Sequence, residues 1–235
     1  MIDIHSHIIP GIDDGAYDLQ DAIEMLMIAA DSGVNKIILT PHSNQKQRFE
    51  NFYPDLFKKF KAFIKEVQHV DIKMYLGMEI YASEDIVKKI QNKQLIGLNF
   101  TDYYLIEFPF HASSKYISKI LNEVLGIHKI PVIAHPERYD SVMKNPKNAF
   151  SWVQMGCLLQ VNQGSLFSFF GKKVKQSAEI LLKNKCVHFI GTDCHDIEYR
   201  TSSMQNIRDY LELIYGIDYA EDLLYKNAEK FLNLK

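Results

Sequence analysis

Apolar residues along the chain fall into two patterns, short continuous runs and stripes at helical spacing. The runs predict seven buried strands, the first of which carries Asp3, His5 and His7 on alternate positions, so that all three would project to one side. The later strands cover residues 34–40, 72–81, 103–108, 130–134, 157–161 and 187–191. The stripes predict helices between Asp18 and Gly33 and over about residues 54–68, 84–91, 114–125, 141–155, 172–184, 203–215 and 219–233. Strands followed by helices in this way predict a parallel sheet with covering helices.

Two polar residues are placed to begin helices. Asp18 is the N-cap candidate of the first helix and Ser83 that of the helix over residues 84–91, because short oxygen-bearing side chains accept hydrogen bonds from the first free N–H groups of a helix. The first apolar stripe stops at Gly33, and the helix over residues 141–155 is followed by Gly156, which is typical of helix C-termini.

This strand–helix order leaves two architectures, an open doubly wound sheet and a closed barrel. The first turn after a strand, residues 10–15 (PGIDDG), lacks the G-x-G-x-x-G pattern of dinucleotide-binding sheets, and the carboxylates of Asp13 and Asp14 would repel a pyrophosphate. We therefore expect an α/β fold, a parallel TIM-like barrel with outer helices. Residues 1–235 contain no Ser/Gly linker, composition break or internal repeat, which predicts a single domain.

Composition excludes several classes of protein. The 235 residues are 47% hydrophobic and carry a formal net charge of -2, whereas a nucleic-acid-binding protein usually has a basic excess. Cys157, Cys186 and Cys194 show no pair spacing, which favours a reducing compartment over a disulfide framework. No apolar run approaches the ~20 residues of a membrane span, and the N-terminus has no cleavable leader. We expect a soluble cytoplasmic protein that does not insert into a membrane.

Imidazoles and carboxylates gather at or just after the predicted carboxyl ends of the strands. In a parallel barrel these ends meet at one face, where active sites form. A single residue of this kind can equally be a helix cap or a hydrogen-bonded side chain in the core. A cluster of many such residues would be electrostatically costly unless a cation were bound among them. The predicted metal ligands are His5, His7, Asp14, His42, Glu79, Glu107, His135, Asp193 and His195.

This set of donors predicts a multinuclear centre. It exceeds the three protein ligands that a catalytic zinc usually keeps, so it fits two or three divalent ions, with Glu79 free to bridge. Imidazole and carboxylate without thiolate favour Mn²⁺, Fe or Zn²⁺ over Ca²⁺ or Cu. Such centres hydrolyse phosphate esters. Arg138 and Arg200 follow two of the ligands and suit phosphate oxygens, although Glu137 and Glu198 are alternative partners for them.

Six segments give the chain a resemblance to a known family. They read DIHSHIIPGIDDG (residues 3–15), TPH (40–42), GMEI (77–80), LIEF (105–108), AHPER (134–138) and GTDCH (191–195). In this order, and over almost the whole chain, they resemble the bacterial PHP-class tyrosine-protein phosphatases, which are manganese-dependent enzymes of capsular and exopolysaccharide synthesis.

The resemblance implies a distorted seven-stranded (β/α)7 barrel of the PHP class that holds three metal ions, with Mn²⁺ the first choice. It implies one metal at His5, His7, Glu79 and Asp193, a second at Glu79, Glu107 and His135, and a third at Asp14, His42 and His195. It also implies that Arg138 acts in catalysis and that Arg200 binds phosphate. The implied substrate is the phosphotyrosine tail of a membrane-associated bacterial tyrosine kinase. We expect attack by a metal-bridging hydroxide, with His42 or His195 assisting the leaving group.

Other interpretations stay open at this point. Residues 194–201 read C-x5-R-T, the signature of thiol-based tyrosine phosphatases, although this loop has no glycine, and Asp196 and Glu198 would oppose both a thiolate and a phosphate. The same metal site could act on a small phosphate monoester such as histidinol phosphate, or on a nucleic-acid end. A catalytically silent docking module and a homo-oligomer are further alternatives. His111 is expected at the rim of the site and His188 in the core.

Overall fold

Parallel strands alternate with helices in the computed structural model, which describes residues 1–234. The strands are β1 (Ile2–Ser6), β2 (Lys36–Leu39), β3 (His42–Ser43), β4 (Lys73–Leu76), β5 (Glu79–Tyr81), β6 (Tyr103–Glu107), β7 (Ile130–Ala134), β8 (Leu158–Asn162) and β9 (Phe189–Gly191). The first two long helices are α1 (Leu19–Asp31) and α2 (Asp55–Glu66). They are followed by α3 (Ile86–Gln91), α4 (Ser114–Gly126), α5 (Asp140–Lys144), α6 (Lys147–Gln154), α7 (Gln163–Leu166) and α8 (Lys172–Lys183).

The last part of the described chain is helical. It consists of α9 (Ile207–Tyr215), α10 (Ile217–Glu221) and α11 (Asn227–Leu232), and a π-helical turn, Asp222–Lys226, joins the last two. Two 3-10 turns, Leu98–Phe100 and Pro136–Arg138, precede and follow the β6–β7 pair. No helix within residues 1–234 is long and apolar enough to cross a lipid bilayer.

The strands form one parallel wall that curls back on itself. Their order is β1-β2-β4 in one part of the wall and β3-β5-β6-β7-β8-β9 in the other. Hydrogen bonds join the segment after β9 to β1: Asp193 N donates to His5 O (2.9 Å) and His7 N donates to Cys194 O (3.1 Å). This seam closes the barrel. The expected α/β fold, a parallel TIM-like barrel with outer helices, is therefore confirmed.

The predicted third strand over residues 72–81 is wrong in one respect, because it is two strands, β4 and β5, interrupted at Gly77 and Met78. The neighbouring strand breaks at the same level, between β2 and β3, where Pro41 has no N–H to donate. Gly77 lies close to Leu98, and a Cβ on Gly77 would be 2.9 Å from its Cδ2 atom. The two breaks bend the wall and give β3 and β5 a pairing of their own.

The predicted helix over residues 141–155 is also divided. It forms α5 and α6, which are separated by Asn145 and Pro146, because a proline in a helix interior removes an i to i−4 hydrogen bond. Ser83 is not the cap of α3: its hydroxyl donates to Asp85 Oδ1 (2.6 Å), and Asp85 is the residue before that helix. Asp18 is the cap of α1, as predicted, and accepts from the backbone N of Gln20 and Asp21.

Two apolar clusters hold the strands in place. The larger one lies between the wall and the outer helices and includes Trp152, Met25 and Leu181. The smaller one lines the inside of the wall with residues such as Ile4 and Phe189. It continues to the amino ends of the strands, and its remaining members are Ile2, Ile38, Leu98, Leu105, Val132, Ala134, Ala228, Leu232 and Leu234. Polar side chains at the carboxyl ends of the strands therefore have a packed apolar floor beneath them.

Candidate metal centre

The structure brings all nine predicted ligands together at the carboxyl ends of the strands. Seven of them fall into overlapping groups, and within each group the potential ligand atoms lie within 4.8 Å of one another. These groups are His5, His7, Glu79 and Asp193; His42, Glu79 and Glu107; and His7, His42 and His195. The first group has the same four residues as the first metal set implied by the resemblance. His135 and Asp14, which belong to the other two implied sets, border these groups.

Strand pairing explains part of this convergence. His42 on β3 lies in register with Glu79 on β5, so the break in the wall presents an imidazole and a carboxylate side by side. The register of β1 against β2 shifts between Asp3 and Ser6. Asp3, which strict alternation groups with the two histidines of β1, accepts instead from Thr192 N (3.1 Å) and Thr192 Oγ1 (2.5 Å).

Glu79 is at the centre of the cluster, with four imidazoles around one buried carboxylate. Its Oε1 lies 3.3 Å from His5 Nε2 and 3.0 Å from His135 Nε2. Its Oε2 lies 3.3 Å from His7 Nε2 and 2.8 Å from His42 Nδ1. That last pair is close, yet neither atom makes a hydrogen bond of acceptable geometry, and an unsatisfied buried polar atom costs about 1–3 kcal/mol. A divalent cation satisfies both atoms, and the donor types fit one.

The other two implied sets are also assembled. Asp14 Oδ1 lies 3.3 Å from His42 Nε2 and 3.5 Å from His195 Nε2. His135 Nε2 lies 3.8 Å from Glu107 Oε1, in addition to its contact with Glu79. In each set the potential ligand atoms are therefore close enough to bind the same ion.

Several side chains that the sequence analysis did not select hold the ligands in orientation. Asp13 Oδ2 lies 2.8 Å from His7 Nδ1 and accepts from the backbone N of His42 (2.9 Å). Gln160 Oε1 lies 2.9 Å from His5 Nδ1. Such partners fix the ring orientation and tautomer of metal-binding histidines. Gln160 lies within the sixth predicted strand, and nothing in the sequence marks this neutral amide as a partner of a ligand.

The backbone around the ligands is unusually constrained. His135 has φ 33° and Asp193 has φ 53°, a left-handed conformation that costs non-glycine residues of order 1–3 kcal/mol each and concentrates at functional sites. Gly15 packs against His7, and a Cβ on Gly15 would lie only 2.0 Å from His7 O. The loop that carries Asp14 is thus folded directly onto a ligand-bearing strand.

Two arginines complete the mouth of the site. Arg138 Nη1 lies 3.4 Å from Asp193 Oδ2, and Arg200 Nη2 lies 2.7 Å from Asp193 Oδ1. The guanidinium of Arg138 stacks between two rings, with its Cζ 4.5 Å from the centroid of Phe110 and 4.2 Å from that of Phe170. Among the described residues the alternative ion pairs with Glu137 and Glu198 do not form.

Seven of the nine predicted ligands and both arginines line one cavity of about 760 Å³ that opens to solvent, and His5 and His7 are not among its lining residues. His111 is exposed at its rim, as expected, with Nδ1 2.7 Å from Asp140 Oδ2. His188, expected in the core, is half-buried, and its Nδ1 accepts from Leu159 N (3.2 Å). A cavity of this size accommodates a phosphorylated side chain.

The buried carboxylates and imidazoles of the site shift one another's pKa values. Burial alone lowers the pKa of His5, but the carboxylates of Glu79 and Asp193 raise it to about 9. The pKa of His42 is likewise lowered by burial and raised to about 11 by Glu79 and Asp14. Burial and the charge of Glu79 raise the pKa of Glu107 to about 8. Protons on the imidazoles of His5 and His42 therefore offset the carboxylates, and a bound cation would displace those protons.

Comparison with known proteins shows which family the chain belongs to. The family model for capsular polysaccharide synthesis, CpsB/CapC, matches residues 1–233. The chain belongs to this family. It is 35% identical over 234 residues to the tyrosine-protein phosphatase YwqE of Bacillus subtilis, and this alignment covers 99% of the chain and 91% of YwqE.

A solved structure agrees with this CpsB/CapC membership. It comes from work on YwqE of B. subtilis and CpsB of Streptococcus pneumoniae, named as metal-dependent tyrosine phosphatases, and it matches with a TM-score of 0.93 and 34% identity, over 99% of this chain and 94% of that chain. The histidinol phosphate phosphatase HisK of Lactococcus lactis matches with a TM-score of 0.56 and 13% identity, over 95% of this chain and 94% of that chain, and therefore shares the fold alone. The resemblance inferred from the six sequence segments is confirmed.

The thiol-based alternative does not fit the structure of this CpsB/CapC member. Cys194 is 0% exposed, and burial raises the pKa of its thiol, so it is neither accessible nor ionised. Asp196 Oδ1 accepts from the backbone N of Glu198 (2.8 Å), Tyr199 (2.5 Å) and Arg200 (3.2 Å). The N–H groups that a phosphate-binding loop would offer are already used by this carboxylate.

Proposed function

We propose that this chain hydrolyses phosphotyrosine in protein substrates and depends on divalent metal ions for this activity. The observation that carries the proposal is the cluster of nine imidazole and carboxylate donors at the carboxyl ends of the strands, seven of which line one open cavity together with two arginines. The named activity of relatives that align over nearly the whole chain supports the same reaction.

Three overlapping sets of side chains are proposed to hold the metal ions. The sets are His5, His7, Glu79 and Asp193; Glu79, Glu107 and His135; and Asp14, His42 and His195. When bound, the ions supply an activated water and neutralise charge on the phosphate. We propose two or three ions, with Mn²⁺ as the native metal and Fe or Zn²⁺ as alternatives, because the donors are imidazoles and carboxylates.

The two arginines are proposed to bind the phosphate group. Their guanidinium groups both face Asp193, and each offers a planar fork that matches two phosphate oxygens. Arg138 is held in place by the rings on either side of it, so little side-chain entropy is lost when phosphate binds. His42 and His195 line the same cavity, where one of them can carry a proton for the leaving tyrosinate, whose ordinary pKa is about 10.

The family supports a proposal for the biological substrate. The CpsB/CapC model is one of capsular polysaccharide synthesis, and we propose that the phosphotyrosine tail of a membrane-associated bacterial tyrosine kinase is the substrate. Such a tail lies on the cytoplasmic side of the membrane, so the proposed location of this chain is the cytoplasm.

Metal analysis paired with a substrate panel tests this function. Protein purified without chelator should contain at least one divalent ion per chain and should hydrolyse a phosphotyrosine peptide faster than histidinol phosphate or a 5′-phosphorylated single-stranded DNA. EDTA should abolish the activity, and Mn²⁺ should restore it. Preference for histidinol phosphate or DNA, or activity that survives EDTA, would contradict the proposal.

Matched variants locate the activity. Glu107→Gln removes one proposed ligand, and we expect it to lower metal content and activity together. Glu198→Gln makes the same change on an exposed carboxylate outside the cavity and should alter neither. Cys194→Ser should retain most of the activity because the thiol is buried. Complete loss in Cys194→Ser with metal still bound would favour the thiol mechanism instead.

A further inference from the structure

A second cavity adjoins the proposed active site. It has a volume of about 370 Å³ and shares Arg200 with the first cavity. Four of its lining residues are aromatic, namely Phe167, Phe169, Phe170 and Tyr199, and most of the others are neutral polar residues. Phe170 also lies against Arg138, a lining residue of the first cavity, so this ring and Arg200 connect the two cavities.

Two of these rings are exposed although their backbone is fixed. Tyr199 is 79% exposed and Phe169 is 69% exposed. The carboxylate of Asp196 holds the turn of Tyr199 through its backbone N (2.5 Å). Phe169 N donates to Gly164 O (3.0 Å), and a Cβ on Gly164 would lie 2.9 Å from the Phe169 ring. Large apolar side chains on rigid turns are the kind of surface that anchors a partner side chain.

We propose that this aromatic cavity binds a neutral aromatic side chain of the substrate protein, close in sequence to the phosphotyrosine. Arg200 is the single charged residue among those that line it. This arginine faces Asp193 and is proposed to bind the phosphate, so a charged side chain in the second cavity would have no further ionic partner. Because Arg200 borders both cavities, one short peptide segment reaches both. Edge-to-face contacts between rings favour an aromatic over an aliphatic occupant. The proposal rests on the proposed phosphotyrosine activity and adds substrate selection to it.

Peptides that differ at one position test the cavity. A phosphotyrosine peptide in an alanine background is compared with versions carrying phenylalanine or leucine at each of the two positions before and after the phosphotyrosine. For the wild-type protein with Mn²⁺ we expect at least one phenylalanine peptide to have a KM about fivefold to tenfold lower than the alanine peptide. The leucine peptide should gain less. An equal gain with leucine would overturn the aromatic preference.

Variants then assign the preference to this surface. In Phe169→Ala and Tyr199→Ala the KM values of the alanine peptide and of the preferred phenylalanine peptide should differ by no more than about twofold. Phe100→Ala removes a half-exposed ring that lines a different cavity and should keep the wild-type ratio. A ratio near one in the wild type, or an unchanged ratio in both variants, would overturn the cavity proposal while hydrolysis of p-nitrophenyl phosphate still supports the activity. Absence of that hydrolysis would overturn the proposed function, and the cavity proposal with it.

Discussion

Replacing Arg138 with lysine tests how the site recognises phosphate. The substitution keeps a positive charge at the mouth but removes the planar fork. In the structure the fork stacks between Phe110 and Phe170 at 4.5 Å and 4.2 Å, with Nη1 3.4 Å from Asp193 Oδ2. A lysine ammonium reaches one phosphate oxygen at a time and cannot stack as a flat group.

The expected effect follows from those two losses. One charge-assisted hydrogen bond to phosphate contributes about 1.5–3 kcal/mol. The loss of flat stacking on two rings adds about 1 kcal/mol for a guanidinium that is largely shielded from solvent. The sum is about 3 kcal/mol of transition-state stabilisation, and since about 1.4 kcal/mol is tenfold in rate, kcat/KM should fall about a hundredfold.

Steady-state hydrolysis of p-nitrophenyl phosphate with saturating Mn²⁺ measures this change, with metal content determined for each protein. Arg208→Lys is the matched control, because Arg208 also lies over a ring, that of Tyr225 at 5.1 Å, but outside the cavity. We expect the control to retain wild-type kcat/KM. An Arg138→Lys protein with full metal content and kcat/KM within about threefold of wild type would refute the reasoning.

Two further predictions concern residues outside the ligand set. Gln160→Ala removes the oxygen 2.9 Å from His5 Nδ1 and should weaken metal binding by about 10–100-fold, as measured by competition with a chelator; unchanged affinity would deny that this contact orients the ring. Burial lowers the pKa of His188 to about 4, below the ~6.5 of an exposed imidazole. The unfolded chain therefore binds the proton more readily, and the free energy of unfolding should fall by about 3 kcal/mol as pH drops from about 6.5 to below 4. Urea unfolding at about pH 7.5 and about pH 4.5 should show a smaller difference for His188→Gln than for wild type, and an equal difference would contradict this assignment.

The ligand set was accessible from sequence because two simple rules act together. Apolar runs locate the strands, and parallel strands place their carboxyl ends at one face. His42 and Glu79 were found in this way although their strands are interrupted. The interruption at Gly77 was missed, and the second predicted strand stops at residue 40, before Pro41, so neither β3 nor its pairing with β5 was predicted. The coincidence of both breaks in adjacent strands bends the wall.

Contacts that depend on tertiary packing were beyond the sequence. The stacking of Arg138 joins rings at positions 110 and 170, which lie on different loops. Both arginines likewise pair with Asp193 and not with Glu137 and Glu198, the partners that proximity along the chain suggested. Amide side chains such as Gln160 carry no charge and no family signature, so their support of a ligand becomes visible only when the strands are side by side.

Because Gly15 packs tightly on His7, a substitution at this position would change the spacing of the whole donor cluster. A single methyl group there would push apart the loop and the strand, and with them Asp14 and His7, which belong to different proposed metal sets, without altering either side chain. Natural or engineered substitutions can therefore weaken the proposed metal centre without replacing any donor side chain. Small side chains next to it set the spacing on which shared coordination depends.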